Sequence, residues 1–233
     1  GLQTSDAADG RLHPGVAKLQ FSPLHLSLGN GDTGEASNVV VLKYDESAGD
    51  DDSSTQQILH RVNAGEGTTV SATDDGPDWT GVEDTSSQFL VSVADGGSSV
   101  QGNYNGGDAV TPSSTVPSST PPAVYNAERY GEMTWEFDVT AGAEVEVRLY
   151  LGNQCSCTEQ EGERQYNVGI EGQQVLTEYD PVQDVGHATG TVKAFTVTEN
   201  GDGTVTITFD PGAIENPQVN AIEIVETSSE GSS

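Results

Sequence analysis

Positive charge is nearly missing from this chain. Three lysines and five arginines stand against 37 acidic residues among 233, a formal charge of -29. Nucleic acid and anionic membranes both need cationic surface to displace counterions, so neither is an expected partner. Long apolar runs are missing as well, and no segment is expected to insert in a membrane or to act as a signal peptide. The sequence starts at Gly1 rather than Met and reads as the mature, processed form of an exported protein. No Asn-x-Ser/Thr sequon occurs, so Asn-linked sugar is not expected. A helical period is absent throughout, as are a nucleophile elbow and a metal triad. Carboxylate pairs are too plentiful here to mark a site, and a non-enzymatic protein without cofactor is expected.

The acid excess itself has a physical reading. Carboxylates spread over a fold repel one another in dilute buffer, and at about 1 M salt a Debye length of roughly 3 Å screens them. The composition predicts a halophile protein that unfolds on dilution. Val outnumbers Leu by 25 to 12, which favours strands over helices.

Strict alternation marks the strands. Met133, Trp135, Phe137 and Val139 share one face of an extended segment, with Thr134, Glu136 and Asp138 on the other. After Thr140-Ala141-Gly142, Val145, Val147, Leu149 and Leu151 alternate with Glu144, Glu146, Arg148 and Tyr150. The pattern predicts an antiparallel pair with one face on a core and one in water. Further strands are predicted at 58–62, 88–93 and 166–170, the last leading through Glu171-Gly172 to Val175-Leu176. A hairpin is predicted from 191–198 to 204–209 across Asn200-Gly201-Asp202-Gly203. Residues 218–226, apolar on both faces, read as a central strand. The Pro/Ser/Thr-rich stretch 111–122 reads as a long surface loop.

Earlier in the chain, 16–28 and 38–44 supply two or three strand candidates, too few for an independent sheet. The expected organisation is an N-terminal strand extension with an acidic linker at 1–54, an antiparallel β-sandwich at 55–227 and a polar tail at 228–233. About ten short strands with regular turns make the fold class all-β.

Four segments carry a resemblance: Val62-Asn63-Ala64-Gly65, Val124-Tyr125-Asn126-Ala127-Glu128-Arg129-Tyr130, Asp184-Val185-Gly186-His187 and Glu215-Asn216-Pro217-Gln218-Val219. In this order they resemble the malectin family, a carbohydrate-binding jelly-roll sandwich, over roughly residues 57 to 226. The acidic turns resemble those of exported proteins of halophilic archaea. The resemblance implies a short glucose-containing oligosaccharide as ligand, with aromatic rings on the apolar sugar face and carboxylates and amides on the hydroxyls. Carried over by position, it implies contacts from Tyr130, from Glu215 with its neighbour Asn216, and from Gln154. Gln154-Cys155 falls where the family has an aromatic pair, and neither residue is aromatic. Arg129 is expected to be a structural ion-pair partner.

Cys155 and Cys157, the only cysteines, allow a local disulfide, a cross-link between subunits, or two thiols of a metal site. Zinc would need two more ligands, and His13, His25, His60 and His187 show no matching spacing. Asp74, Asp75 and Asp78, or Asp50 to Asp52, are candidate calcium ligands, although no complete calcium loop is present and solvated acid is the simpler reading. The expected location is extracellular or at the cell surface. A second functional reading is a homo-polymer, a filament or coat subunit whose residues 1–50 donate strands to a neighbour's open sheet edge.

Overall fold

The alternating segments form strands wherever one face can be buried, and two main sheets result. In the computed structural model, residues 56–82, 88–93 and 102–227 are described. Strands β1 (Gln57–Asn63), β2 (Thr80–Gly81), β3 (Leu90–Val93), β4 (Gly102–Tyr104) and β5 (Thr111–Pro112) precede a 3₁₀ turn at Pro122–Tyr125. There follow β6 (Glu128–Tyr130), β7 (Met133–Asp138), β8 (Glu144–Gly152), β9 (Gln165–Ile170) and β10 (Gln173–Tyr179). After the one-turn helix α1 (Pro181–Val185) come β11 (Thr189–Thr198), β12 (Thr204–Ile214), β13 (Gln218–Val219) and β14 (Ala221–Glu226). One sheet has the order β2-β1-β14-β8-β11-β5, the facing sheet β10-β9-β12-β7-β3, and a small third sheet β13-β6-β4. The all-β sandwich expected from the alternation is therefore present. The strand candidates at 16–28 and 38–44, and the tail 228–233, lie outside the described residues.

Two expected pairings are corrected. β7 and β8 do not pair, because β7 lies in the five-stranded sheet and β8 in the six-stranded one. Nor do β11 and β12, which divide between the same two sheets. Alternation fixes which face of a strand is buried, but a buried face is equally satisfied by a partner across the core. Trp135, Phe137, Ile207 and Phe209 from one sheet meet Val145, Val147, Leu149, Ile222 and Ile224 from the other in one fully buried cluster. The two crossing links run side by side, Val139 N donating to Gly203 O at 2.9 Å and Glu199 N to Ala143 O at 2.9 Å. The buried Glu199 carboxylate ties them together by accepting the amides of Gly142, Gly201 and Gly203.

Other expectations fit more closely. β9 and β10 pair antiparallel across Glu171-Gly172, both residues with positive φ. The last strand is central, β14 lying between β1 and β8, although it begins only after Asn220. Within 111–122 the chain contributes the two-residue β5 and then enters the 3₁₀ turn. The helix α1, without a periodic signal, starts where Asp180 accepts the amides of Val182 at 2.9 Å and Gln183 at 3.2 Å, with Pro181 in its first turn.

The outer face of β8 meets water at Glu144, as alternation predicts, is half-buried at Glu146 and Arg148, and is covered at Tyr150. Tyr150 is 1 % exposed, because residues 66–79 and 113–125 fold over it and bring Trp79, Val124 and Tyr125 against its ring. Beside this second cluster a charged ladder crosses three strands, Arg61 on β1 facing Glu223 on β14, which faces Arg148 on β8. Arg61 forks onto Asp74 with two 2.7 Å bonds and reaches Glu223 Oε1 at 2.7 Å. Its guanidinium also stacks 4.9 Å from the Trp79 ring centroid.

Candidate ligand-binding face

The short strand β6 organises one end of the sandwich, and the motif segments converge on it. Gly65 lies so close to Ala127 that a Cβ there would stand 2.4 Å from the Ala127 carbonyl, so only glycine fits. Asn220 Nδ2 donates to Ala127 O at 2.9 Å, Ala64 N to Asn220 O at 2.9 Å, and the buried Arg129 uses Nε on Ala64 O at 3.2 Å. The Val-Asn-Ala-Gly and Glu-Arg-Tyr segments thus lock against each other through backbone polar groups.

Register decides which side chains share a face of β6. Tyr104 pairs with Glu128 in the ladder of β4 and β6, and Gln218 pairs with Tyr130 in that of β13 and β6. Directly opposed residues, and residues two apart along a strand, share a face, so Tyr104, Glu128, Tyr130 and Gln218 all lie on one side. Tyr104 and Tyr130 are half-buried there. Between them Glu128, 1 % exposed, accepts Arg164 Nη1 at 2.9 Å and the Gln154 amide at 3.4 Å. Gln218 is fully buried, and neither end of its side-chain amide is hydrogen bonded among the described residues.

The expected contact residues fall around this face with different orientations. Tyr130 stands on it. Glu215 is exposed with φ at 63°, and its Oε2 accepts Asn216 N at 3.0 Å and Asn216 Nδ2 at 3.3 Å. Because Gly131 N donates to Pro217 O at 3.0 Å, the Glu215-Asn216 loop runs beside the Tyr130 end of β6. Gln154 is different. Its side chain is 3 % exposed and turns inward, Nε2 donating to Tyr125 O, so it braces the loop beneath the face instead of projecting from it.

Sequence reasoning missed Tyr104, Glu128, Arg164 and the pairing of His187. Tyr104 is followed by Asn105-Gly106-Gly107, which reads as a turn. A Cβ on Gly107 would stand 2.2 Å from Gln154 O and 2.8 Å from Tyr104 Cε1, so this glycine seats the loop between ring and carbonyl. His187 bridges two loops, with Nε2 2.9 Å from Asp108 Oδ2 and Nδ1 2.9 Å from Asn153 Nδ2.

Of the alternatives open for the cysteines, the local bridge forms: Cys155 and Cys157 are disulfide-bonded with Cα atoms 5.0 Å apart. Two of the calcium candidates, Asp74 and Asp78, are otherwise engaged. Asp74 faces Arg61, which holds its carboxyl at about 2, and Asp78 Oδ1 accepts Ala72 N at 2.8 Å. Among the described residues no group of three or more His, Cys, Asp or Glu is placed to hold a metal ion. Asp50 to Asp52 lie outside the described residues. No helix among the described residues is long and apolar enough to cross a membrane.

A two-sheet sandwich that gathers half-exposed aromatic rings and a carboxylate at one loop end belongs to the class of ligand-binding modules. The sequence matches the Malectin domain over residues 58–222, and the chain belongs to that family. Solved structures of similar fold include the ectodomain of ANX2 from Arabidopsis thaliana (16 % identity, TM-score 0.60, covering 74 % of this chain and 50 % of that one). Another is the complex of the plant peptide RALF23 with FER and LLG2 (15 % identity, TM-score 0.61, 74 % and 49 %). A third is a β-glucuronidase of Bacteroides uniformis (14 % identity, TM-score 0.55, 72 % and 18 %). The chain spans about half the length of the plant structures it matches. A search of curated proteins finds no match.

Proposed function

We propose that this chain is a non-enzymatic, exported carbohydrate-binding module of a halophile cell surface, taking a short glucose-containing oligosaccharide on the face of β6. The observation that carries the reading is the placement of Tyr104 and Tyr130 on one side of the small sheet, with Glu215 and Asn216 in the loop beside them. Rings supply an apolar platform for a pyranose face, and the loop carboxylate and amide take hydroxyls. Acidic composition supports a brine habitat of the archaeal kind, and the disulfide supports an oxidising compartment. Screening the protein in molar salt against a panel of immobilised glucans and unrelated glycans tests this. Glucose oligomers should be retained and Tyr104→Ala should lose them. Retention of none, or equal retention by the variant, would count against the reading.

A second reading is the filament or coat subunit that exchanges strands through residues 1–50. What favours it is a sheet edge left open: beyond Gly190, no strand pairs with β11 on the side away from β8 among the described residues. Ordered filaments in molar salt, seen by electron microscopy, would support it. A monodisperse 24 kDa particle would remove it.

A further inference from the structure

The open edge of β11 faces the open edge of β10, and a concavity lies between them. It measures about 550 Å³ and is lined by the buried Ile170 and by the partly buried Val175, Phe195 and Val197, which pack against the core. One carboxylate, Glu171, lines it in a protein with 37 acidic residues, and that carboxylate is occupied by the amides of Thr206 at 2.7 Å and Asn200 at 3.1 Å. β10 is the last strand of its sheet, and among the described residues β11 pairs on its outer side with β5 at Thr189 and Gly190 only, while Tyr125 Oη donates to Thr191 O at 2.8 Å and Lys193 Nζ to Asp184 of α1 at 2.9 Å. A gap with mixed apolar and polar walls and a single carboxylate, beside unpaired backbone groups, is the acceptor half of a strand-addition interface.

The donor half can be named from the same chemistry. Residues 10–31 contain no Asp or Glu, and their only charged side chains are Arg11 and Lys18. Within them Leu24, Leu26 and Leu28 alternate with His25 and Ser27. Along β11, Phe195 and Val197 turn toward the core while Ala194, Thr196 and Thr198 face water. A strand laid beside β11 must likewise put one apolar row into the gap and one polar row outside. Residues 24–28 have that alternation, at a length of about 17 Å. Their lack of acid removes the repulsion that most other segments of this chain would meet.

We propose that residues 24–28 of a second copy add as a strand to the free edge of β11 and seat Leu24, Leu26 and Leu28 in the gap to β10. The inference rests on the strand-exchange reading and names its acceptor site. Such a contact joins two different surfaces, so it closes on a pair where the exchange is reciprocal and propagates from copy to copy where it is not.

Hydrogen–deuterium exchange on the full chain in molar salt, read together with particle size, tests it. Amides of 191–198 should exchange at least tenfold more slowly in assemblies of the unmodified chain than in the variant Leu24→Ser/Leu26→Ser/Leu28→Ser. That variant should be monomeric, and its β8 and β12 amides should keep their protection, which shows that the sandwich is folded. A synthetic peptide of residues 22–30 added to the variant should restore protection on β11. Assemblies that form while 191–198 exchanges equally fast in both proteins would overturn this site and leave strand exchange standing elsewhere. A protein that never assembles would overturn both, and protection of β11 in a monomer would overturn the second copy as the donor.

Discussion

Arg61→Ala is expected to be among the most costly single changes outside the apolar core. Arg61 has a side chain 3 % exposed, bonds Asp74 and Glu223 at 2.7 Å and stacks on Trp79. Its guanidinium is held charged: burial acts to lower its pKa, and the hydrogen bonds it donates to Asp74 and Glu223 outweigh that and raise it. Removing it leaves Glu223, with a side chain 1 % exposed, on Arg148 at 3.0 Å and Tyr150 Oη at 3.0 Å only. Deleting one member of a buried pair costs about 3–5 kcal/mol, because the other charge stays desolvated. For a domain of this size that is a fall in melting temperature of roughly 6–20 °C. Asp74→Asn should cost less, about 1–2 kcal/mol, since a side chain 26 % exposed can be rehydrated. Urea unfolding followed by circular dichroism in about 1 M and about 3 M salt is the assay, and the difference from the unmodified protein should be the same in both, because buried pairs are little screened. A loss below about 1 kcal/mol, or one that vanishes at the higher salt, would show that the ladder behaves as a surface ion pair and refute the reasoning.

Other expectations concern acid, salt and loop packing. Asp74 is held at about 2, chiefly by the Arg61 hydrogen bond, and Glu199 stands at about 2 because three glycine amides outweigh the burial that pushes it up. Both folded values lie below the ordinary carboxylate value near 4, so their stabilisation is complete above it and is lost as pH falls toward 2. Melting temperature in molar salt should drop across that window, and a flat profile would remove both groups from the account. Dilution from molar salt to low-salt buffer should unfold the chain by circular dichroism, and an unchanged spectrum would contradict the repulsion argument from the charge of -29. Gly107→Ala should displace the loop carrying Asp108, since the new methyl would stand 2.2 Å from Gln154 O. Faster amide exchange at residues 105–108 with an intact core is the expected readout.

The strands were legible in sequence because a buried face imposes period 2 on every one of them. Partnership was not, since Trp135 and Val147 obey the same rule whether they sit side by side or across the core. Tyr130 and the Glu215 loop were named through the resemblance, and the pairing of β6 with β13 brings them into one neighbourhood. Tyr104 escaped notice because β4 is three residues long and runs into a glycine-rich turn. Glu128 and Arg164 escaped because an ion pair 36 residues apart leaves no periodic trace. Gln154 was named by its position in the sequence near the face, and only the fold reveals that its amide turns inward to Tyr125. Helix α1 did carry a local signal in Asp180-Pro181, but a five-residue helix is too short to show a period.

Titration calorimetry of a short glucose oligosaccharide into the protein and into Tyr130→Ala, both in molar salt, addresses the binding face most directly. Saturable binding that weakens at least tenfold in the variant, the loss of about 1.4 kcal/mol expected for one ring of the platform, is the predicted result when both proteins melt at the same temperature. Equal affinity in the two proteins, or no heat from any glucose oligomer in either, would contradict a sugar site on β6.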